Sequence, residues 1–92
     1  MTVAGLIQEI FDEPSFKSGG TCSEFRLERR FDALHIRVVE RDYDFMVLEV
    51  LNKSNRIGKI TRYNYFTTLE DLDLHLRNIR KGYPSFKFTP KF

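Results

Sequence analysis

The sequence predicts an α+β domain: a helix, an antiparallel meander of three to four strands, a second helix and a short C-terminal tail. Three observations carry this prediction. Apolar residues recur at helical spacing near the start of the chain and again after residue 68. Between these two stretches the apolar period changes to two, as in strands. The breaks between the strand-like runs are short, which favours antiparallel neighbours joined by tight turns.

Length and composition bound the class of protein. The 92 residues predict a single domain, 1–92, whose modest core needs nearly every apolar side chain. The opening MTVAGLIQEIF lacks the positive start of a signal peptide, and no apolar run is long enough to span a membrane. The single Cys22 excludes an internal disulfide and fits a reducing compartment. We therefore expect a cytoplasmic protein without membrane contact.

The first helix is predicted over residues 2–13. Thr2 can cap its N-terminus, and Pro14 prevents much continuation. One apolar stripe would face the core, formed by Val3, Leu6, Ile7, Ile10 and Phe11. Residues 14–22, with Gly19-Gly20, are predicted to be a loop.

Two strands follow with alternating polarity. In the first, Phe25, Leu27 and Phe31 alternate with charged residues, which predicts a half-buried strand with these three side chains inside. Arg29 interrupts this apolar face, so the strand is expected to bulge or to end near it. A tight turn is expected at residues 32–33. The second strand is predicted over residues 34–41.

A turn at residues 41–42 leads into the most apolar run, 43–51, with the sequence YDFMVLEVL. Its alternate positions are apolar on both faces. Such a strand is either covered on both faces, or covered on one and presented to a partner on the other. We expect it to be the central strand, followed by a turn at residues 52–56.

The fourth strand is predicted over residues 57–66, which are rich in β-branched and aromatic side chains. Its alternation is irregular, and Gly58 is a candidate bulge. One face would carry Lys59, Thr61, Tyr63 and Tyr65, and the other Ile60, Arg62, Asn64 and Phe66. The sequence does not decide which of the two faces is buried.

The second helix is predicted over residues 69–81, capped by Thr67 or Thr68. Its buried stripe would consist of Leu69, Leu72, Leu76 and Ile79. Leu74 lies off this stripe, as a surface residue or a partner contact. The tail, residues 83–92, is either an edge strand on the sheet or a flexible arm, and its four aromatic side chains favour docking on the sheet.

No pattern of catalytic or ligand-binding residues is present. His35 and His75 lack the spacing of a zinc site, and Cys22 has no activating histidine nearby in the sequence. No phosphate-binding loop or carboxylate pair is recognisable. We expect a protein that is not an enzyme, with no metal, no cofactor and no small-molecule substrate.

Charge is unevenly distributed along the chain. The first 52 residues hold ten acidic and six basic side chains, whereas residues 53–66 hold four bases and no acid, and no acid follows Asp73. In the predicted fourth strand, residues 57–66, basic side chains are interleaved with aromatic rings that can stack on bases, a pattern typical of single-stranded nucleic-acid binding. The candidate partner- or nucleic-acid-binding residues are Lys53, Arg56, Lys59, Arg62, Tyr63, Tyr65, Arg77, Arg80 and Lys81. We expect these late bases to gather on one surface.

The opening helix MTVAGLIQEIF, the meander through residues 23–66 and the closing helix 69–81 together resemble the small phage-encoded anti-CRISPR inhibitors. The resemblance is one of architecture and size, without a shared motif. It implies an inhibitor that binds a CRISPR effector complex, a nucleoprotein, and blocks its access to target DNA.

Two alternatives stay open. A small RNA-binding module has a similar element order, although double-stranded RNA-binding domains have lysines where this second helix begins with Glu70, Asp71 and Asp73. The other alternative is a subunit that acts through protein contacts alone.

Overall fold

The computed structural model describes residues 2–11, 22–53, 59–83 and 85–87. These residues form two helices and five strands: α1 (Val3–Phe11), β1 (Cys22–Arg29), β2 (Asp32–Glu40), β3 (Phe45–Lys53), β4 (Lys59–Phe66), α2 (Leu69–Gly82) and β5 (Ser85–Lys87). The predicted α+β class and element order are confirmed.

The strands form one antiparallel sheet in the order β4-β3-β2-β1-β5. Strands β1 to β4 are the predicted meander, with β3 inside the sheet. The chain then returns through α2 and adds β5 to the far edge, beside β1. The expected edge strand in the tail is therefore present at Ser85–Lys87, and residues 88–92 lie outside the described residues.

Both helices pack on the same face of the sheet. Paired residues of antiparallel strands point to the same side, so Phe25, Ile36 and Val47 belong to one face, and all three are fully buried. The core joins this face to the apolar stripes of the helices, with Val3, Leu6, Ile7 and Phe11 from α1 and Leu72 and Leu76 from α2. Helix α2 begins as predicted, because the Thr68 hydroxyl accepts the Asp71 backbone N–H at 3.1 Å.

The first hairpin turns two residues earlier than expected. Residues 30–31 form the turn, Arg30 has a φ of 41°, and Arg29 pairs directly with Asp32. The Arg29 guanidinium also contacts the Asp32 carboxylate at 2.7 Å. Phe31 was predicted to be buried and is 60% exposed, because a two-residue turn places it at the tip.

The second hairpin also differs from the prediction, at residues 43 and 44. Tyr43, assigned to the central strand, lies in the turn and is 93% exposed. The Arg41 guanidinium binds both carboxylate oxygens of Asp44 at 2.6 Å, and the Arg41 N–H donates to the Asp44 carbonyl. This closed turn delays the start of β3 to Phe45. The predicted turn at residues 52–56 and the bulge at Gly58 lie mostly outside the described residues.

Candidate binding face

No described helix covers the second face of the sheet. We call this surface the open face. It consists of four rows of paired residues, one from each of β4, β3, β2 and β1. In that strand order the rows are Tyr65, Met46, Val39, Cys22; Tyr63, Leu48, Arg37, Glu24; Thr61, Val50, His35, Arg26; and Lys59, Asn52, Ala33, Glu28. Each row is an antiparallel register line, so its members share one side of the sheet. The two-faced apolar pattern of residues 43–51 has its explanation here, since only one face of β3 is under the helices.

The centre of the open face is apolar. Met46, Leu48 and Val50 extend along β3, with Val39 beside them on β2, and all four are half-buried. Their neighbours in the sheet shield them in part. The register places Leu48 on this face, because Val47 takes the inward position.

Two tyrosines border this apolar strip on β4. Tyr63 lies opposite Leu48 and Tyr65 opposite Met46, and each tyrosine is 57% exposed. The Arg41 guanidinium carbon lies 5.2 Å from the centre of the Tyr65 ring, a cation–π contact that restrains this side chain. Neighbouring aromatic rings above an apolar strip are typical of residues that anchor a binding partner.

A shallow cleft of about 240 Å³ opens at one end of the open face. Leu48 and Val50 form its base, and its rim is polar, formed by Glu24, His35, Arg37, Asn52 and Lys59. The cleft thus combines an apolar base with hydrogen-bonding groups of both charges.

The buried carboxylate of Glu24 organises one side of this cleft. Glu24 is only 3% exposed, and its two oxygens contact His35 Nε2 and, at 3.5 Å, Arg37 Nη2. Glu24 thus offsets the charge of Arg37. On the opposite side of the cleft, Lys59 is exposed.

The structure divides the candidate residues of the predicted fourth strand between the two faces. Lys59, Tyr63 and Tyr65 lie on the open face, whereas Arg62 points to the helix side, opposite Glu49. There Arg62 lines a separate cleft of about 190 Å³. Lys53 is also on the helix-side register, opposite Asp32. Arg56 lies outside the described residues.

The bases of α2 are on the helix side, and two of them, Arg77 and Arg80, are engaged locally. Arg77 forms ion pairs with Asp73, one turn earlier, and with Glu9 of α1. Its contact with Asp73 raises the pKa of Arg77. Arg80 donates to the Tyr83 carbonyl, while Lys81 is exposed.

The single basic surface expected from the sequence is therefore not formed by the described residues. Alternation along the fourth strand separates its bases, and the helix bases belong to the side opposite Lys59. A role for these residues in binding stays a prediction.

Comparisons of the chain with protein-family models, curated proteins and solved structures found no match. Function is therefore inferred from the fold and from the chemistry of the open face.

Sequence reasoning missed the two buried glutamates. Glu24 had been assigned to a solvent-facing alternation, and Glu49 had no assigned partner. On the helix side, Glu49 is 7% exposed and accepts from Asn64 Nδ2 at 2.6 Å and His75 Nε2 at 2.8 Å. Each histidine thus contacts a buried glutamate, but the pairing depends on a strand register and a helix position that residue spacing does not reveal.

The remaining chemistry of the described residues is limited. Burial raises the pKa of the half-buried Cys22 thiol, so the reactive thiolate is a minor species at neutral pH. Within the described ranges, no cluster of three metal-ligating side chains occurs. Neither helix in those ranges has the length and hydropathy needed to cross a bilayer.

Proposed function

We propose that this is a non-enzymatic binding protein that docks on a protein or nucleoprotein partner through the open face. The observation that carries the proposal is the apolar strip of Met46, Leu48 and Val50 beside the exposed rings of Tyr63 and Tyr65. Burying such a strip and two rings supplies affinity, since aromatic anchors dominate most interfaces. The charged rim of the cleft supplies orientation and selectivity.

The size of the face limits the kind of complex. Four strands spaced about 4.8 Å apart and about eight residues long present a surface on the order of 500 Å². A standard interface buries about 800 Å² on each partner. The open face alone therefore fits a transient complex, or one end of a larger contact surface.

The specific partner we propose is a CRISPR effector complex whose target-DNA binding the protein inhibits. The resemblance in architecture and size to anti-CRISPR inhibitors supports this choice. The open face suits a nucleoprotein because it offers rings and Lys59 for nucleic acid, together with an apolar strip for protein.

The test uses a panel of purified, guide-loaded effectors and a labelled target duplex. We expect the protein to reduce DNA binding by at least one effector. A variant with Tyr63→Ala and Tyr65→Ala should inhibit about 30-fold less, because losing two anchors costs about 2 kcal/mol. Tyr43→Ala is the matched control, since Tyr43 is highly exposed but lies in a turn.

Two results would count against the proposal separately. An effector panel that is wholly unaffected rejects the CRISPR partner. Full inhibition by the double tyrosine variant rejects the open face as the docking surface.

Single-stranded RNA is the second candidate partner. The supporting observation is that Tyr63, Tyr65 and Lys59 share one face of β4, with both rings exposed. Rings at alternate positions on a strand can stack successive bases while a lysine meets the phosphates.

The RNA candidate is tested by fluorescence anisotropy with a labelled strand of about 12 nucleotides. Affinity should fall with salt with a slope of about −0.7 for each phosphate contacted, and Lys59→Ala should reduce the slope by about that amount. Absence of binding at ~50 mM salt would reject it.

A further inference from the structure

The outer edge of β4 is a second surface, distinct from the open face. Strand β4 is eight residues long and lies at one end of the sheet, paired only with β3 among the described residues. At the other end, β5 has three residues. Alternate backbone N–H and C=O groups of an edge strand point away from the sheet, so β4 offers a long row of them.

The side chains of β4 leave this edge accessible. Six of its eight residues are exposed, including the large apolar or aromatic Ile60, Tyr63 and Tyr65. Proline is absent from β4, and its register against β3 runs without a bulge from Phe66 to Lys59. Two common devices that block an edge are thus missing.

The charge on β4 is uniform. The strand carries Lys59 and Arg62 and no acidic residue. These two bases lie on opposite faces of the sheet, because they are three positions apart. An added strand would meet one base on each side.

We propose that the edge of β4 binds an extended acidic segment of a partner protein by strand addition. The backbone groups of β4 would supply the hydrogen bonds, and Lys59 and Arg62 would select the sequence. The fitting segment has two acidic residues three positions apart, because only that spacing places one carboxylate opposite each base. This surface uses the backbone of β4 and does not depend on the proposed role of the open face.

A second copy of the chain is a poorer occupant. When two β4 strands pair antiparallel across a two-fold axis, each residue lies opposite one from the same face of the other sheet. The axis therefore passes beside one residue, which lies opposite its own copy. Centring on Arg62 sets two guanidinium groups directly opposite, which is destabilising. Centring on Tyr63 avoids that contact but still joins two strands that carry only positive charge.

The experiment uses the whole protein labelled with ¹⁵N and three synthetic peptides of about eight residues, mostly threonine and valine. The first peptide has two glutamates three positions apart. The second has the same composition with the glutamates two positions apart, and the third has lysines in place of the glutamates. Binding is followed by amide hydrogen exchange and by chemical shifts.

We expect the first peptide to slow exchange at alternate amides of β4, and to bind about tenfold more tightly than the lysine peptide. The glutamate peptide replaces two like-charge contacts of the lysine peptide by two attractive ones. At about 0.7 kcal/mol for each contact, the difference corresponds to a tenfold change in affinity. The second peptide should bind with intermediate strength. Charge reversal with Lys59→Glu and Arg62→Glu should invert the order of the glutamate and lysine peptides.

Proline substitution tests the role of the backbone. Successive backbone N–H groups of β4 point alternately to β3 and to the free edge. Of the two variants Ile60→Pro and Thr61→Pro, one therefore removes a donor to β3 and the other removes only a donor at the free edge. The variant that keeps the wild-type melting curve should lose peptide binding.

Three results would overturn the proposal. The first is no protection of β4 amides by any peptide. The second is equal affinity for the glutamate and lysine peptides. The third is concentration-dependent dimerisation that protects the same amides, which would assign the edge to a second copy.

Discussion

The contact between Glu49 and His75 allows a sharp prediction about stability. The Glu49 carboxylate is almost fully buried and accepts only from Asn64 Nδ2 and His75 Nε2 among the described side chains. Replacing His75 by leucine removes one of these donors. The new side chain can still pack on Phe66, whose ring centre lies 4.8 Å from that of His75.

The expected cost of His75→Leu follows from these contacts. A hydrogen bond to a charged group contributes about 1.5–3 kcal/mol, and a buried charge left without its partner raises the loss further. We expect a decrease of about 2–4 kcal/mol in the free energy of unfolding. A chain of 92 residues has a total of about 5–14 kcal/mol, so the loss is easily measured.

A second variant separates charge from packing. In Glu49→Leu combined with His75→Leu no buried charge remains, and the half-exposed Asn64 can bind water. This double variant should be more stable than His75→Leu alone by at least about 1 kcal/mol. The assay is urea unfolding followed by circular dichroism, with midpoints compared at constant slope.

The matched control is the ion pair of the exposed Arg77 with Asp73, whose replacement by alanines should leave the urea midpoint almost unchanged, because surface ion pairs contribute little to stability. Wild-type unfolding of His75→Leu would show that the contact with Glu49 does not stabilise the fold. A double variant less stable than the single one would show that the buried carboxylate is not the cause of the loss.

Three further predictions concern single groups. The hydrogen bond from the Arg41 guanidinium lowers the pKa of Asp44. The stability from this pair is therefore present above the ordinary carboxyl pKa and is lost as the pH falls through the lowered pKa. In unfolding experiments over a range of acidic pH, Arg41→Gln should reduce this dependence of stability on pH. Burial raises the pKa of Tyr83 despite the opposing effect of Arg29. The stability that neutral Tyr83 contributes is therefore complete below the ordinary phenol pKa and is lost as the pH rises through the raised pKa. Tyr83→Phe should remove this loss of stability at alkaline pH. Cys22 should react with iodoacetamide more slowly than a free thiol at pH 7, and unfolding in urea should remove the difference.

The meander and the second helix could be predicted because their signals are local. The stripe that contains Leu72 and Leu76 has helical spacing, and Thr68 begins the helix with a recognisable cap. Arg29 marks the end of the first strand in the sequence, but Phe31 was misassigned because it continues the apolar alternation beyond Arg29; the two-residue turn, with a positive φ at Arg30, is seen only in the structure. Apolar character alone therefore did not distinguish a strand end from a hairpin tip.

The candidate site was harder to predict because it depends on register. The sequence divides the fourth strand into two faces, but whether Tyr63 or Arg62 faces the helices is decided by the pairing with β3. The apolar faces of residues 43–51 were equivalent in sequence, and the helices cover the one with Val47. Alternation already separates Lys59 from Arg62 in the sequence, but which of the two shares a side with the bases of α2 follows from the choice of covered face.

The packing of α1 against α2 has a consequence for how the domain comes apart. These helices contact each other, and both cover the same sheet face, although they stand near opposite ends of the chain. Leu6 and Ile7 of α1 and Leu72 and Leu76 of α2 belong to one buried core, so detaching either helix opens that core to water. Detaching one helix therefore weakens the packing of the other, and we expect the two helices to unfold together.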